Sequence, residues 1–191
     1  MDAETHILLI SGSLRAGSTN SALLRTAVAI APAGIEATIY PAMGELPHFN
    51  PDDDRQGEQP AAAVEHLRSR IATSDAILFC TPEYAGGLPG SFKNLLDWTV
   101  GGGETYGLAV AWVNVAGPAA PAGGANAIDS LRKVLGFTGA VIVEEACAAI
   151  PLERGDVGAD GTVADPEVRS ALIASLQALA DAARTRRAAS A

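Results

Sequence analysis

The sequence predicts a doubly wound α/β domain, in which a parallel sheet of five strands has helices on both faces. Five short apolar runs alternate with amphipathic stretches, and each run is nearly continuously apolar, as in parallel strands that are covered on both faces. Apolar residues make up 48% of the chain but aromatic residues only 5%, a composition that suits close packing of helices on a sheet. A length of 191 residues is that of a single domain.

Strands and helices are predicted to follow one another along the chain. The five predicted strands occupy residues 7–10, 37–40, 76–80, 108–116 and 140–147. Apolar residues recur every three or four positions in the predicted helices, which cover residues 21–30, 64–71, 92–99 and 128–135. A last helix begins at Asp165 and Pro166, a favourable cap and first residue. Right-handed crossovers bring the loops after the strands to one edge of the sheet, where such folds bind ligands.

The charge and the start of the chain argue against two classes of partner. A net charge of −9 disfavours a nucleic-acid surface, which needs clustered Lys and Arg. The basic cluster, Arg184, Arg186 and Arg187, is predicted to lie in a short tail after a core of about residues 5–182. The acidic start precedes an apolar run too short for a signal peptide or a membrane span. We therefore expect a cytoplasmic protein without a membrane partner.

Isolated reactive side chains are predicted to be structural. Cys80 and Cys147 lie in apolar runs without the spacing of a metal site or redox pair, so buried thiols are expected. The acidic residues 52–54 are predicted to lie in a solvated loop rather than a metal site, because no second cluster completes a coordination shell. The histidines stand apart from any nucleophile and are predicted to be surface or packing residues: His6, His48 and His66.

The loop after the first strand has the glycine spacing of a nucleotide-binding P-loop. In GSLRAGSTN, residues 12–20, Gly12 and Gly17 have that spacing, but Ser18 stands where a P-loop needs lysine. Phosphoryl transfer is therefore not indicated, and the tighter glycine spacing of a dinucleotide fingerprint is absent. Ser11 stands where a receiver domain has aspartate, and no cysteine heads the loop as in a low-molecular-weight phosphatase.

The same loop has the features of a site for a bound anion. It joins a strand to a helix, so backbone N–H groups and the helix dipole converge on it. Arg15 adds a guanidinium fork suited to phosphate. Hydroxyl donors come from Ser13, Ser18, Thr19 and Ser21. A polar turn with an ordinary helix cap is the alternative interpretation.

A second loop, after the third strand, is built for close approach of the backbone to a ligand. It begins the segment TPEYAGGLPGSFKNLLDW, residues 81–98, in which Pro82 stiffens the chain and Pro89 is placed to start a helix. Gly86 and Gly87 permit the backbone to approach a flat ring with polar edges. Taken alone, Tyr84 is explained equally well as an aromatic residue that packs within the protein and as one that contacts a ligand.

Together, GSLRAGSTN and TPEYAGGLPGSFKNLLDW resemble the NADPH-dependent FMN reductase family of flavodoxin-like proteins, which includes quinone, chromate and azo-dye reductases. The third-loop segment GPAAPAGGANAIDSLRKVL, residues 117–135, is similar to the glycine-rich approach to the family's fourth helix. The predicted order of elements matches from about residue 7 to residue 179. The resemblance implies a flavodoxin-like five-stranded fold and FMN as cofactor.

The resemblance also implies a set of cofactor-binding residues. The FMN phosphate would be held by Ser13, Arg15, Ser18, Asn20 and Ser21, with Ser11 and Thr19 at the margin. The isoalloxazine ring would be lined by Pro82, Glu83, Tyr84 and Ala85 with the backbone at Gly86, and Gly117 and Pro118 would lie opposite. Two positions depart from the family pattern: Ala85 stands where asparagine is usual, and Gly117 where serine is frequent.

The function that the resemblance implies is two-electron oxidoreduction with NADPH or NADH as co-substrate and a small-molecule acceptor such as a quinone, flavin, azo dye or metal oxyanion. FMN carries the chemistry, so no side-chain acid or base is required and no metal is expected. Relatives form dimers or tetramers, and Lys93, Asn94 and Trp98 are interpreted as packing or subunit contacts. Two alternatives are an FMN-binding electron carrier without NAD(P)H oxidation and a domain that has lost its cofactor.

Overall fold

The computed structural model describes residues 4–55, 57, 59–117 and 120–190. Pro118, which the resemblance places opposite the flavin ring, lies outside the described residues. The strands are β1 (Thr5–Ser11), β2 (Ile35–Ile39), β3 (Ala76–Cys80), β4 (Ala109–Asn114), β5 (Val141–Ile142) and β6 (Ala148–Ala149). The helices are α1 (Thr19–Ile30), α2 (Ala62–Ala72), α3 (Gly90–Asp97), α4 (Ala125–Phe137) and α5 (Pro166–Ser190).

The strands form a parallel sheet in the order β2-β1-β3-β4-β5, and β6 pairs with β4 beyond the end of β5. This is the flavodoxin-like order of a doubly wound sheet, so the predicted fold class is confirmed. The chain leaves β1 on one side to form β2 and returns on the other to form β3. The loops that follow β1 and β3 therefore flank the switch in strand order, where such sheets bind ligands.

Each face of the sheet has its own apolar core. Ile7 and Leu9 of β1 point to the face covered by α1 and α5, whereas Leu8 and Ile10 point to the face covered by α2, α3 and α4. All four side chains are at most 1% exposed. Both faces are buried because the strands alternate their side chains between them, which is why the strands appear in the sequence as unbroken apolar runs.

The fifth predicted strand, residues 140–147, is wrong as a single element. The chain forms β5, then a short 3₁₀ turn at Glu144–Ala146, and then β6. Glu144 leaves the sheet to pair with Arg132 of α4, whose guanidinium also lies 4.7 Å from the centroid of the Trp112 ring. A charged glutamate is costly to bury in a strand that is covered on both faces, so the pairing passes from one short strand to the next.

The predicted C-terminal tail is also wrong, because α5 continues to Ser190. Its N-terminus is capped as predicted: Asp165 Oδ1 accepts hydrogen bonds from the backbone N–H groups of Glu167 and Val168. Near the other end Arg184 donates to Thr5 Oγ1 and Arg187 donates to Asp75 Oδ1, each at 3.1 Å. These arginines dock the last turns of the helix against the chain beside β1 and β3.

Tyr40 carries a buried hydroxyl for which the described residues provide no hydrogen-bond partner. Burial, together with the nearby Glu45 charge, raises the pKa of Tyr40 from 10.0 to about 12. The unfolded chain therefore loses this proton near pH 10 while the folded protein keeps it, so the tyrosine reduces folding stability as pH rises from 10 to about 12.

We expect Tyr40→Phe to remove this alkaline loss. At neutral pH the variant should be as stable as the parent or up to about 1 kcal/mol more stable, because an unsatisfied buried hydroxyl is lost. Urea unfolding of both proteins at neutral pH and between pH 10 and 12 measures the effect. An equal decline in both proteins would show that Tyr40 ionises as readily when folded as when unfolded.

Candidate functional site

Three loops meet at the carboxyl edge of the sheet: the first loop (residues 12–18), the second loop (81–89) and the third loop (115–124, without 118 and 119). The first and second loops are in direct contact. Gly12 N–H donates to Cys80 C=O at 2.8 Å, which continues the pairing of β1 and β3 past the strand ends. A β-carbon at Gly12 would lie 2.2 Å from Thr81 Oγ1, so glycine is required for this approach.

The first loop offers unpaired donors around the start of α1. Arg15 is exposed, and its guanidinium has no hydrogen-bond or ion-pair partner among the described residues. The backbone N–H groups of Leu14, Ala16 and Gly17 likewise donate no hydrogen bond to any residue that the structure describes. Helix α1 has neither an acidic residue in its first turn nor a side-chain cap. The loop therefore presents positive charge and free donors where an anion is favoured.

The predicted phosphate hydroxyls lie in three places, one of which is Thr19 at the start of α1. Ser11 Oγ and Ser21 Oγ are hydrogen-bonded at 3.0 Å, and together with Ser13 they line a cavity of about 260 Å3 between β1, α1 and the end of β2. Ser18 lies apart from them and is buried. The structure therefore does not bring all the predicted hydroxyls to one cavity.

Asn20 is turned beneath the loop. Its Oδ1 accepts a hydrogen bond from the Cys80 thiol at 3.3 Å, and its Nδ2 donates to Ser18 Oγ at 3.4 Å. Burial raises the pKa of the Cys80 thiol above its usual range. Cys80 is thus the buried thiol that was predicted, whereas Cys147 is half-buried and burial raises the pKa of its thiol to about 11.

The second loop contains a tight hairpin at residues 84–87. The backbone groups of Tyr84 and Gly87 exchange hydrogen bonds of 3.0 and 3.1 Å. Ala85 has φ +50° and Gly86 has φ +75°, so both central residues are left-handed, as in a type I′ turn. Asparagine followed by glycine is the favoured pair in this turn, which gives a backbone reason for the asparagine that is usual where this chain has Ala85.

We expect Ala85→Asn to stabilise the folded protein by about 0.5–1 kcal/mol, because asparagine tolerates the left-handed conformation that alanine resists. Ala85→Val serves as the matched control, and a β-branched side chain should destabilise the same turn. Urea unfolding of the three proteins gives the comparison. A variant with asparagine that is less stable than the parent would contradict the assigned turn.

The second and third loops face each other across a cleft of about 240 Å3. Five of the predicted site residues line it: Thr19, Asn20, Pro82, Glu83 and Gly117. Sequence reasoning missed the other described residues of the lining, namely Thr81, Asn114, Val115, Ala116, Ala120, Pro121, Ala122, Gly124 and Leu152. The lining does not include Arg15, Tyr84, Ala85 or Gly86, and Tyr84 is 47% exposed beside it.

Side chains of α3 and of its C-cap residue Trp98 anchor the loop between β2 and α2. Asn94 Nδ2 and Trp98 Nε1 each donate to Pro47 C=O at 2.9 Å, and Phe49 N–H donates to Asn94 Oδ1 at 2.7 Å. The predicted packing role of Asn94 and Trp98 is confirmed, whereas Lys93 pairs with Asp97 of the same helix. Subunit contacts through this helix stay a prediction.

The acidic loop is solvated only in part. Asp52 is exposed and pairs with Arg55, as expected of a surface loop. Asp54 instead binds Arg68 at 2.8 Å with 10% of its side chain exposed, so the prediction of a solvated residue is wrong for Asp54. His6 and His66 are packing residues as predicted: the His6 ring hydrogen-bonds Thr38 Oγ1, and the His66 ring lies tilted against the Tyr40 ring with the centroids 5.7 Å apart.

The sequence pattern of the NADPH-dependent FMN reductase family matches residues 5–154, which is most of the chain. The chain belongs to this family. An NAD(P)H-dependent FMN reductase of Pseudomonas aeruginosa is 33% identical over 179 residues, covering 94% of this chain and 95% of that protein. A probable NADPH:quinone oxidoreductase of Oryza sativa is 32% identical, covering 91% of this chain and 88% of the relative.

Among solved structures, the flavoenzyme NAD(P)H:(acceptor) oxidoreductase FerB of Paracoccus denitrificans matches with a TM-score of 0.77 and 29% identity, over 95% of this chain and 98% of that one. The resemblance that the two loops indicate is thereby confirmed, and with it the class of activity, FMN-dependent oxidoreduction with NAD(P)H. In the part of the chain that the structure describes, no helix is both long and apolar enough to cross a membrane.

Proposed function

We propose that this FMN reductase binds FMN across the first loop and the cleft, and passes two electrons from NAD(P)H to a quinone or a similar small acceptor. The observation that carries the site assignment is the first loop, where the Arg15 guanidinium and the N–H groups of residues 14, 16 and 17 have no partner among the described residues. The loop leads into α1, whose residues Thr19 and Asn20 line the cleft. The names of the Pseudomonas and Oryza relatives support the donor and a quinone as acceptor.

The first loop suits a monophosphate that is held and not transferred. Arg15 would bind the phosphate together with the N–H groups of residues 14, 16 and 17, for which the described residues offer no acceptor, and the dipole of α1 favours its charge. The P-loop lysine that Ser18 replaces serves phosphoryl transfer, which this reaction does not require. The chemistry of the bound group explains why the loop keeps the glycines without the lysine.

The cleft would hold the ring between the second and third loops, with Pro82 and Glu83 on one wall and Gly117 on the other. FMN supplies the two-electron redox chemistry when bound. Among the described lining residues Glu83 alone is ionisable, and its carboxylate is already hydrogen-bonded to Asn126. The role of the protein is therefore to bind, orient and limit water access, without a side-chain general acid or base.

The deciding experiment is the visible spectrum of the purified protein after incubation with FMN and desalting, followed by NADPH and NADH oxidation with a quinone. A flavin band near one FMN per chain and rapid NAD(P)H oxidation are expected. A flavin band without NAD(P)H oxidation would favour the electron carrier. A colourless protein with no turnover in excess FMN would overturn the proposal.

We further propose that the protein acts in the cytoplasm as a homodimer or homotetramer. The oligomer is implied by the family resemblance, with Lys93, Asn94 and Trp98 near the contact. Light scattering of the FMN-loaded protein gives the number of subunits directly, and a monomeric mass would contradict the oligomer.

A further inference from the structure

Helix α4 begins without a cap from its own segment. Its N-cap residue is Gly124, at φ +80°, and its first turn contains no acidic residue and no side-chain cap. The N-terminal N–H groups of a helix need acceptors, and a carboxylate is the favoured partner there because of the helix dipole.

Glu83 of the second loop supplies that carboxylate from 43 positions earlier in the chain. Its Oε2 accepts from the Asn126 backbone N–H at 3.0 Å, and its Oε1 accepts from Asn126 Nδ2 at 3.0 Å. Both carboxylate oxygens are thus engaged by one residue in the first turn of α4.

Asn114, at the end of β4, secures the segment just before the helix. Its Nδ2 donates to Gly123 C=O at 2.6 Å, and its Oδ1 accepts from Ala116 N–H at 3.0 Å. A β-carbon at Gly124 would lie 2.6 Å from Asn114 Oδ1, so the backbone rests directly on this amide. The start of α4 is therefore docked on the sheet by Asn114 and tied to the second loop by Glu83.

Glu83 of the second loop and Gly124 of the third loop both line the cleft. We propose that the Glu83 carboxylate and Asn126 form a clamp that sets the separation of the two walls and so prearranges the cleft for FMN. The clamp rests on the proposed function, because it acts on the site assigned there to the flavin. In this role Glu83 is a positioning residue. Its side chain binds the start of α4 and thereby fixes the position of the loops between which the flavin would bind.

Breaking the clamp is expected to weaken FMN binding. Without the clamp, the distance between the second and third loops varies more in the free protein, so FMN binding must also order these loops, at a cost in free energy. Glu83 is half-buried and Asn126 is exposed, so the effect is moderate. We expect Glu83→Ala to raise the Kd for FMN by about 3- to 10-fold.

A donor–acceptor exchange separates a clamp from a general structural role. Asn126→Asp places a second carboxylate against Glu83 and should weaken FMN binding at least as much as Glu83→Ala. Combining Glu83→Gln with Asn126→Asp restores an amide facing a carboxylate, with the roles reversed, and should recover most of the affinity. Glu144→Ala is the matched control, since it breaks the ion pair of Arg132 on the same helix, outside the cleft lining.

The apoproteins are titrated with FMN by fluorescence, and hydrogen exchange at the Asn126 amide is measured without flavin. Faster exchange and weaker FMN binding in the two single variants, recovery of both in the double variant and no change in Glu144→Ala are expected. Unchanged FMN affinity in Glu83→Ala, or no recovery in the double variant, would overturn the clamp. Failure of the parent protein itself to bind FMN would instead contradict the proposed function.

Discussion

Replacing Arg15 with alanine is expected to weaken FMN binding by about 1.5–3 kcal/mol, the usual contribution of a hydrogen bond to a charged group. This corresponds to an increase in Kd of roughly 10- to 150-fold. The guanidinium is exposed and has no partner within the described residues, so its removal should leave the folded protein intact. Titration of the apoprotein with FMN measures the loss directly.

The control for this prediction is Arg55→Ala, which removes an exposed arginine that pairs with Asp52 in a loop outside the cleft lining. It should change neither FMN affinity nor stability, because exposed ion pairs contribute little. NADPH turnover of Arg15→Ala at saturating FMN should fall much less than FMN affinity does. An FMN affinity equal to that of the parent would show that Arg15 does not bind the phosphate.

Gly12→Ala is expected to destabilise the folded protein by about 2–3 kcal/mol, the size of effect seen when a well-packed region is overfilled. The added β-carbon would lie 2.2 Å from Thr81 Oγ1, 2.6 Å from Thr81 Cβ and 3.1 Å from the Phe92 ring. Thr81 and Phe92 are both buried, and Gly12 N–H is held by Cys80 C=O, so neither side can withdraw easily. FMN binding should weaken as well, since the first two loops must separate.

Gly90→Ala is the matched control for Gly12→Ala, because a β-carbon there meets no atom within 4 Å. It lies at the start of α3, and it should leave the urea midpoint unchanged or raise it slightly. Adding Thr81→Gly to Gly12→Ala removes the two closest contacting atoms, both of Thr81, and should recover part of the lost stability. A Gly12→Ala protein with the parent's urea midpoint would mean that the two loops do not pack as closely as described.

The strands and helices were largely predictable because their signals are local. The apolar run Ala76–Cys80 is an example: it forms a strand in which every residue is buried, as expected of a strand that is covered on both faces. The helix cap at Asp165 was predictable for the same reason, since the Asp165 carboxylate accepts from N–H groups only two and three residues later in the chain. The prediction of a single strand over residues 140–147 was wrong because the segment is apolar on average, whereas Glu144 within it forms an ion pair with Arg132 of α4.

Buried polar contacts between distant segments escaped prediction. Asp54 belongs to a sequence typical of a solvated loop, yet folding places it against Arg68 of α2. Tyr84, which the resemblance places against the flavin ring, is 47% exposed and outside the cleft lining, and its contact with the ring stays a prediction. Composition sets which loops are polar, but the path of the backbone sets which side chains in them are covered.

The sequence by itself determined the alternation of strands and helices, the family, and the two loops that are proposed to bind FMN, because periodicity, turn residues and loop motifs are properties of short segments. Only the tertiary structure decided which loop residues face one another. The order of the strands brings Leu152, from beyond β6, into the cleft lining, and it brings Glu83 to Asn126 across 43 positions. Contacts of this kind depend on which strands are neighbours and how their connections turn, and that information is absent from the residue types around either partner.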